Sequence, residues 1–528
     1  MPSPRDCPRR QGPATLRRRW ADRPLARTVI AWIAIILIAT GGLLPAGAPA
    51  QLPTLGDGSE MATAAERRLG ERIARELYRD PDYIDDPVLS EYVQGIWQPL
   101  LAAARQRGEL SAELDQRFAW EVLLGKDRSI NAFALPGGYL GLHLGLIAAV
   151  SSRDELASVL AHELSHVTQR HISRLITQQN RQTPLMIGAM ILGAIAASKN
   201  PDAANAVLAG SQALAMQNQL NFSRDMEREA DRVGYAVMAQ AGFEPAGFVT
   251  MFDKLQQASR LNDNGAFPYL RSHPMTTERM ADMQARQQLA GRSATPPALS
   301  FEHAMVTARA RVLSGAGVDA LRARVAEASS AALPGQSPAR QAGALYGAAL
   351  ASLKLRDTAQ AGQLAAGLAA LTRADAAGTR LARLLVAEIA LAAGDAPRAV
   401  SLLPAQASGR PDVLLHAQAR LRAGQPAEAA QHLQAWVALH PRDAAAWQLL
   451  AASDAAQNRP LRAIRAEAEA QVALLDYAAA IDRFKAAQEL ARSMARGGTL
   501  GADHIEASII DTRTRQVESL LREQALER

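Results

Sequence analysis

The chain has 528 residues, 48% hydrophobic and only 4% aromatic, which allows two or three domains and points to a mainly α protein rich in alanine and leucine. Its formal net charge is +6, yet residues 1–27 hold eight arginines against two aspartates, so the remainder is electrically balanced. A balanced body without a basic stripe speaks against a nucleic-acid partner. The single cysteine, Cys7, rules out a disulfide framework.

The N-terminal arginines precede an uncharged apolar run, Val29 to Leu44, and then Ala48-Pro49-Ala50, a small-x-small cleavage pattern. Residues 1–50 are expected to be an export signal removed after Ala50, which places the rest of the chain in the periplasm. Retention as an anchor is the alternative, although 16 apolar residues before Pro45 are short against the roughly 20 a span needs.

Residues 51–295 read as the first folded domain. Gln51–Glu60 is Pro- and Gly-rich and extended, and helical spacing follows from Met61 to about Arg107, with Val88, Leu89, Tyr92, Val93, Ile96 and Trp97 on one apolar face. Phe118–Leu124 and Asn131–Leu135 have strand composition, and Pro136-Gly137-Gly138 turns the second into Tyr139–Leu142. The expectation is a small antiparallel sheet. Its edge would offer backbone pairing to an extended peptide, unless the hairpin is purely structural.

Leu160 to His171 reads LAHELSHVTQRH. His162 and His166, four apart, share one helix face and can converge on one ion, while Glu163 points toward the remaining open position as a general base. Ser152-Arg153-Asp154-Glu155 is a capping box for this helix, and Leu156, Val159, Leu160, Leu164 and Val167 give it a buried support.

Catalytic zinc usually takes three protein ligands and keeps a fourth position for water. In the three-histidine spacing HExxHxxGxxH the glycine and last histidine would fall at Gln169 and Ile172, and His171 is one residue out of register. A carboxylate is expected instead. Ser223 caps a further helix on which Glu227 and Asp231 lie four apart on one face, so either can reach the metal, whereas Glu229 points elsewhere.

Between these helices, Pro184–Ala197 is an apolar block of 14 residues, short for a membrane span and better suited to a buried helix or to a peripheral membrane or partner contact. His273-Pro274 marks a break before a helix that runs to about Leu289. Ala290–Ser300 is a linker by composition and sets the domain boundary. Residues 300–528 are helical and periodic: Gly394–Val400 resembles Gly424–Ala430, and Asn458–Ile464 repeats the pattern 34 residues on. This predicts an α-solenoid of tetratricopeptide-like repeats, whose concave face binds protein segments. The expected fold is thus mainly α, with an α+β domain ahead of the solenoid.

HELSHVTQRH, the LPGGY turn before it, FSRDMEREAD and SHPMTTERMADM together resemble the M48 family of zinc metallopeptidases. The resemblance implies one Zn2+ per chain, with Glu227 as third ligand beside His162 and His166. It makes Asp231 the carboxylate that orients a ligand histidine, and His273 a residue able to approach the metal and occupy or gate the open position. With an export signal and repeats, it further implies an endopeptidase for misfolded or stalled envelope and outer-membrane proteins, working near the outer-membrane assembly machinery. A chaperone or scaffold in which proteolysis is minor or gated is the alternative.

Overall fold

The computed structural model describes residues 61–178, 224–260, 268–289, 298–315, 317–404, 406, 408–498 and 501–525. The expected export signal, Gln51–Glu60, the apolar block Pro184–Ala197, the Ser223 cap and most of the Ala290–Ser300 linker lie outside these residues.

Two helices open the described chain, α1 (Thr63–Arg79) and α2 (Pro87–Gln106). Asp86 starts α2 by accepting a hydrogen bond from the Leu89 amide at 3.0 Å, and Pro87 stands at the first helical position, where its missing N–H costs nothing. The predicted apolar face of α2 is buried from Val88 to Leu101. A short α3 (Ala112–Arg117) leads to the sheet, whose strands are β1 (Glu121–Gly125), β2 (Ala132–Leu135) and β3 (Tyr139–His143).

The sheet is mixed, which corrects the expectation of a wholly antiparallel one. β3 lies in the centre, antiparallel to β2 (Leu135 opposite Tyr139) and parallel to β1 (Glu121 opposite Tyr139). The reason is topological: the tight turn at Pro136–Gly138 folds β3 back into the gap between β2 and β1, so β3 runs in the same direction as β1. Gly137 makes that turn with φ 72°, a conformation costly for a residue with a Cβ. β1 also starts later than predicted, because Trp120 has φ 53° and interrupts the extended backbone; its carbonyl accepts from Trp97 Nε1 at 3.0 Å.

After α4 (Leu144–Ala149), the central helix α5 (Arg153–Thr168) is buried along nearly all of its length. Its cap is as predicted: Ser152 Oγ accepts from the Glu155 amide at 3.1 Å, and Glu155 reaches back to the Ser151 amide at 2.6 Å. Among the described residues the chain continues through α6 (His171–Gln178), α7 (Arg224–Gln240), α8 (Ala246–Arg260) and the short α9 (Tyr269–Ser272). α10 (Thr277–Leu289) follows the predicted break at Pro274. α7 crosses α5 closely because residue 234 is glycine; a Cβ there would sit 3.1 Å from the Ala161 carbonyl.

Twelve more helices follow among the described residues, α11 (Phe301–Leu313), α12 (Val318–Glu327), α13 (Pro338–Lys354), α14 (Thr358–Leu371), α15 (Ala376–Ala392) and α16 (Ala396–Leu402), then α17 (Arg410–Arg422) to α22 (His504–Ala525). Consecutive helices pack on one another through short turns. Gly394, Gly424 and Asn458, the positions at which the sequence repeats itself, occupy these turns with φ between 56° and 83°, and Arg356 takes φ 65° in another. One apolar core runs without a break from Val88 on α2 to Ala419 on α17. The acidic start of α2 is clamped by arginines of the later helices: Arg309 on Asp86 at 2.8 Å, Arg410 on Asp85 at 2.6 Å, and Arg380 on Glu91 at 2.5 Å. Among the described residues no helix is long and apolar enough to cross a membrane.

Candidate metal centre

The centre forms where α5, α7 and the segment after α9 meet. Helical spacing puts His162 and His166 on the face of α5 turned to α7, and α7 answers with Glu227 and Asp231 from its own shared face. His273, just beyond α9, closes the group. His162, His166, Glu227 and His273 are all buried, and each offers one donor atom within 4.8 Å of the others.

The individual distances test the fit to a metal. A tetrahedral zinc with ordinary Zn–N and Zn–O bonds holds its ligand atoms about 3.3 Å apart. Here His162 Nε2 lies 3.0 Å from His166 Nε2 and 3.5 Å from Glu227 Oε2, His166 Nε2 lies 3.4 Å from Glu227 Oε1, and His273 Nδ1 lies 3.3 Å from His162 Nε2. Imidazole nitrogens with a carboxylate oxygen are the donors that zinc accepts. Charge agrees, since three carboxylates (Glu163, Glu227 and Asp231) are buried here against one cationic arginine, Arg279.

Titration of the same groups carries that electrostatic signature. Burial lowers the proton affinity of His162, but Asp231 and Glu227 prevail and raise its pKa to about 9. His166 is held well below the usual histidine range by burial. Burial works to raise Glu227, yet His273 and the hydrogen bonds from His162 and His166 keep it well below the ordinary carboxylate value. Glu163 goes the other way: burial lifts it, with His273 and His162 opposing. A glutamate so lifted is a better proton acceptor than an exposed one.

Glu163 is also held in place. Its Oε2 accepts from the Ala134 amide of β2 at 2.9 Å, while Oε1 faces the cluster, 3.4 Å from His273 Nε2. Asp231 Oδ1 lies 2.9 Å from His162 Nδ1, the pairing expected of a carboxylate that fixes a ligand ring. His273 stacks on Tyr269, ring centroids 4.5 Å apart.

All six residues singled out from the sequence thus come together. Three others were missed. Arg279 of α10 grips Asp231 through two bonds, 2.7 and 2.8 Å, and reaches Glu227 at 2.7 Å. His171 bonds His166 Nδ1 at 2.8 Å, and Glu229 takes the other nitrogen of His171 at 3.0 Å. Arg279 lies within the SHPMTTERMADM motif, and a carboxylate pair on α7 that needs a buried cation was the available signal. Glu229 does point away from the cluster, as read, but toward His171.

A buried HExxH pair, a carboxylate from a second helix and a glutamate base define a metallopeptidase centre of the zincin kind, and residues 93–287 match the profile of peptidase family M48. Over this segment the chain is similar to that family. Over 456 residues, 85% of this chain and 89% of the relative, the sequence is 29% identical to the beta-barrel assembly-enhancing protease of Escherichia coli (strain K12). A Vibrio cholerae protein carrying that name provisionally is 35% identical over 275 residues, 52% of this chain, and the chain spans about half (54%) of that relative's length. The mitochondrial metalloendopeptidase OMA1 of Arabidopsis thaliana is 32% identical over 161 residues, 30% of each chain.

Proposed function

We propose that the protein is a zinc-dependent endopeptidase, with His162, His166 and Glu227 as ligands of one Zn2+, Glu163 as general base and Asp231 as the group that orients His162. The convergence of four buried donors beside Glu163 carries this reading. When bound, zinc supplies Lewis acidity toward a peptide carbonyl and lowers the pKa of a water molecule. Glu163, whose Oε2 is occupied by the Ala134 amide, takes the water's proton at Oε1 and passes it to the leaving amine. β2 is an edge strand beside Glu163, so an extended substrate added along it would run past the base. His273, whose Nδ1 lies within the donor set, would occupy or gate the fourth position.

Residues 1–50 act as the export signal and the protein works in the periplasm, with residues 51–295 as the peptidase domain and 300–528 as tetratricopeptide-like repeats. The names of the E. coli and V. cholerae relatives refer to β-barrel assembly. From them we carry over substrates among misfolded or stalled envelope and outer-membrane proteins, bound with help of the repeats. Contact with the assembly machinery and a peripheral membrane contact belong to the same reading, and nucleic acid does not. One observation favours a second reading, a chaperone or scaffold with gated proteolysis: no member of the donor cluster nor Glu163 exposes more than 2% of its surface.

The test is casein turnover with and without a zinc chelator, beside metal analysis of the purified chain. Glu163→Gln is expected to keep one zinc per chain and to lower kcat by roughly 10²- to 10⁴-fold, the usual worth of a general base. Turnover by this variant at the wild-type rate would remove Glu163 from the role. Suppression of aggregation by Glu163→Gln at wild-type strength would support the chaperone reading.

A further inference from the structure

His171 stands five residues after His166, and in an unbroken helix it would point about 140° away from it. The structure brings it back. α5 ends at Thr168, Arg170 takes φ 55°, and α6 restarts at His171 with its ring against His166. A left-handed residue other than glycine is strained, and here the turn is held from outside: the Arg170 guanidinium bonds Glu66 at 2.8 Å and Ser173 Oγ at 3.2 Å. Strain of this kind persists where the surrounding structure enforces it and concentrates at functional sites.

The bonds beyond His171 have a direction. Glu229 Oε2 can only accept, so His171 Nε2 carries the hydrogen it receives at 3.0 Å, and Arg174 fixes that same carboxylate oxygen at 2.8 Å. A neutral His171 then presents a bare Nδ1 to His166 Nδ1, 2.8 Å away, and His166 must donate. That leaves the lone pair of His166 on Nε2, which faces Glu227 and His162. The other ligand helix position has the shorter arrangement, Arg279 to Asp231 to His162 Nδ1.

We infer that His171, backed by Glu229 and Arg174, is a positioning residue: it sets the tautomer and tilt of His166 and so holds its Nε2 lone pair toward the metal. This rests on the reading of the cluster as a zinc site. Partners of this kind on a ligand histidine are worth about 10- to 100-fold in metal affinity.

The test measures zinc affinity of the full chain by competition with a chromophoric chelator, together with thermal unfolding of the metal-free protein and the ligand-field spectrum after cobalt(II) substitution. His171→Phe keeps a buried ring but no acceptor, and is expected to weaken zinc about 10- to 100-fold and to shift the cobalt bands. His171→Asn, whose amide oxygen falls near the place of Nδ1, is expected to recover most of the affinity. Glu229→Leu should weaken zinc and Glu229→Gln, which keeps an accepting oxygen, should not; this pair carries the comparison if His171→Phe fails to fold. Wild-type affinity in His171→Phe or Glu229→Leu overturns the inference, as does a lowered unfolding temperature with unchanged zinc binding and cobalt spectrum. A wild-type chain that binds no zinc would instead sink the metallopeptidase reading itself.

Discussion

At the scale of single residues, His273 carries the sharpest ambiguity of role. Its Nδ1 lies 3.0 Å from Glu227 Oε1 and 3.3 Å from His162 Nε2, inside the donor set, while its Nε2 lies 3.4 Å from Glu163 Oε1. A histidine so placed would fill the position that a catalytic water needs before Glu163 could act on it. His273→Ala is therefore expected to raise casein turnover severalfold while weakening zinc about tenfold, since one donor is lost and the open position gained. The same variant losing activity about 100-fold would make His273 a stabiliser of the developing oxyanion instead. Measuring turnover at saturating zinc separates the two effects.

At the scale of elements, the site depends on α5, α7 and β2 meeting, and each was legible to a different degree. The His162/His166 and Glu227/Asp231 pairs were readable because four-residue spacing on a helix is local geometry. His171, Glu229 and Arg279 were not: their roles arise from the turn at Arg170 and from α10 approaching α7, neither of which leaves a periodic trace. The strands were recognisable by composition, but pairing order was not, so the insertion of β3 between β1 and β2 escaped the sequence. The position of β2 gives a prediction of its own. Ala134 donates its backbone N–H to Glu163, and an edge strand tolerates proline where a central one does not. Ala134→Pro removes that donor without touching a ligand. It should lower kcat at least about tenfold through a misplaced base, with zinc affinity unchanged. Retained kcat would mean that the Ala134 amide has no part in aiming Glu163.

At the scale of the whole molecule, the linker at Ala290–Ser300 divides the chain by composition, yet the core continues across it from α2 to α17. His303 marks this seam. It lies on α11, buried, with Nδ1 2.6 Å from the Tyr92 hydroxyl of α2 and Nε2 3.2 Å from the Val150 carbonyl that follows α4. Both bonds suit a neutral ring: Tyr92 donates to Nδ1 and Nε2–H donates to Val150. Burial lowers the His303 pKa to about 4, against 6.5 for the free side chain. Between these values the unfolded chain binds a proton that the folded one refuses, so the contribution of His303 to stability is complete above about 6.5 and is lost as pH falls toward 4. From pH 7 to pH 5 that loss amounts to about 2 kcal/mol. Chemical denaturation at the two pH values should show His303→Phe losing about 2 kcal/mol less on acidification than the wild type, whatever its stability at pH 7. Equal losses in the two proteins would show that the seam between α2 and α11 does not depend on a neutral His303.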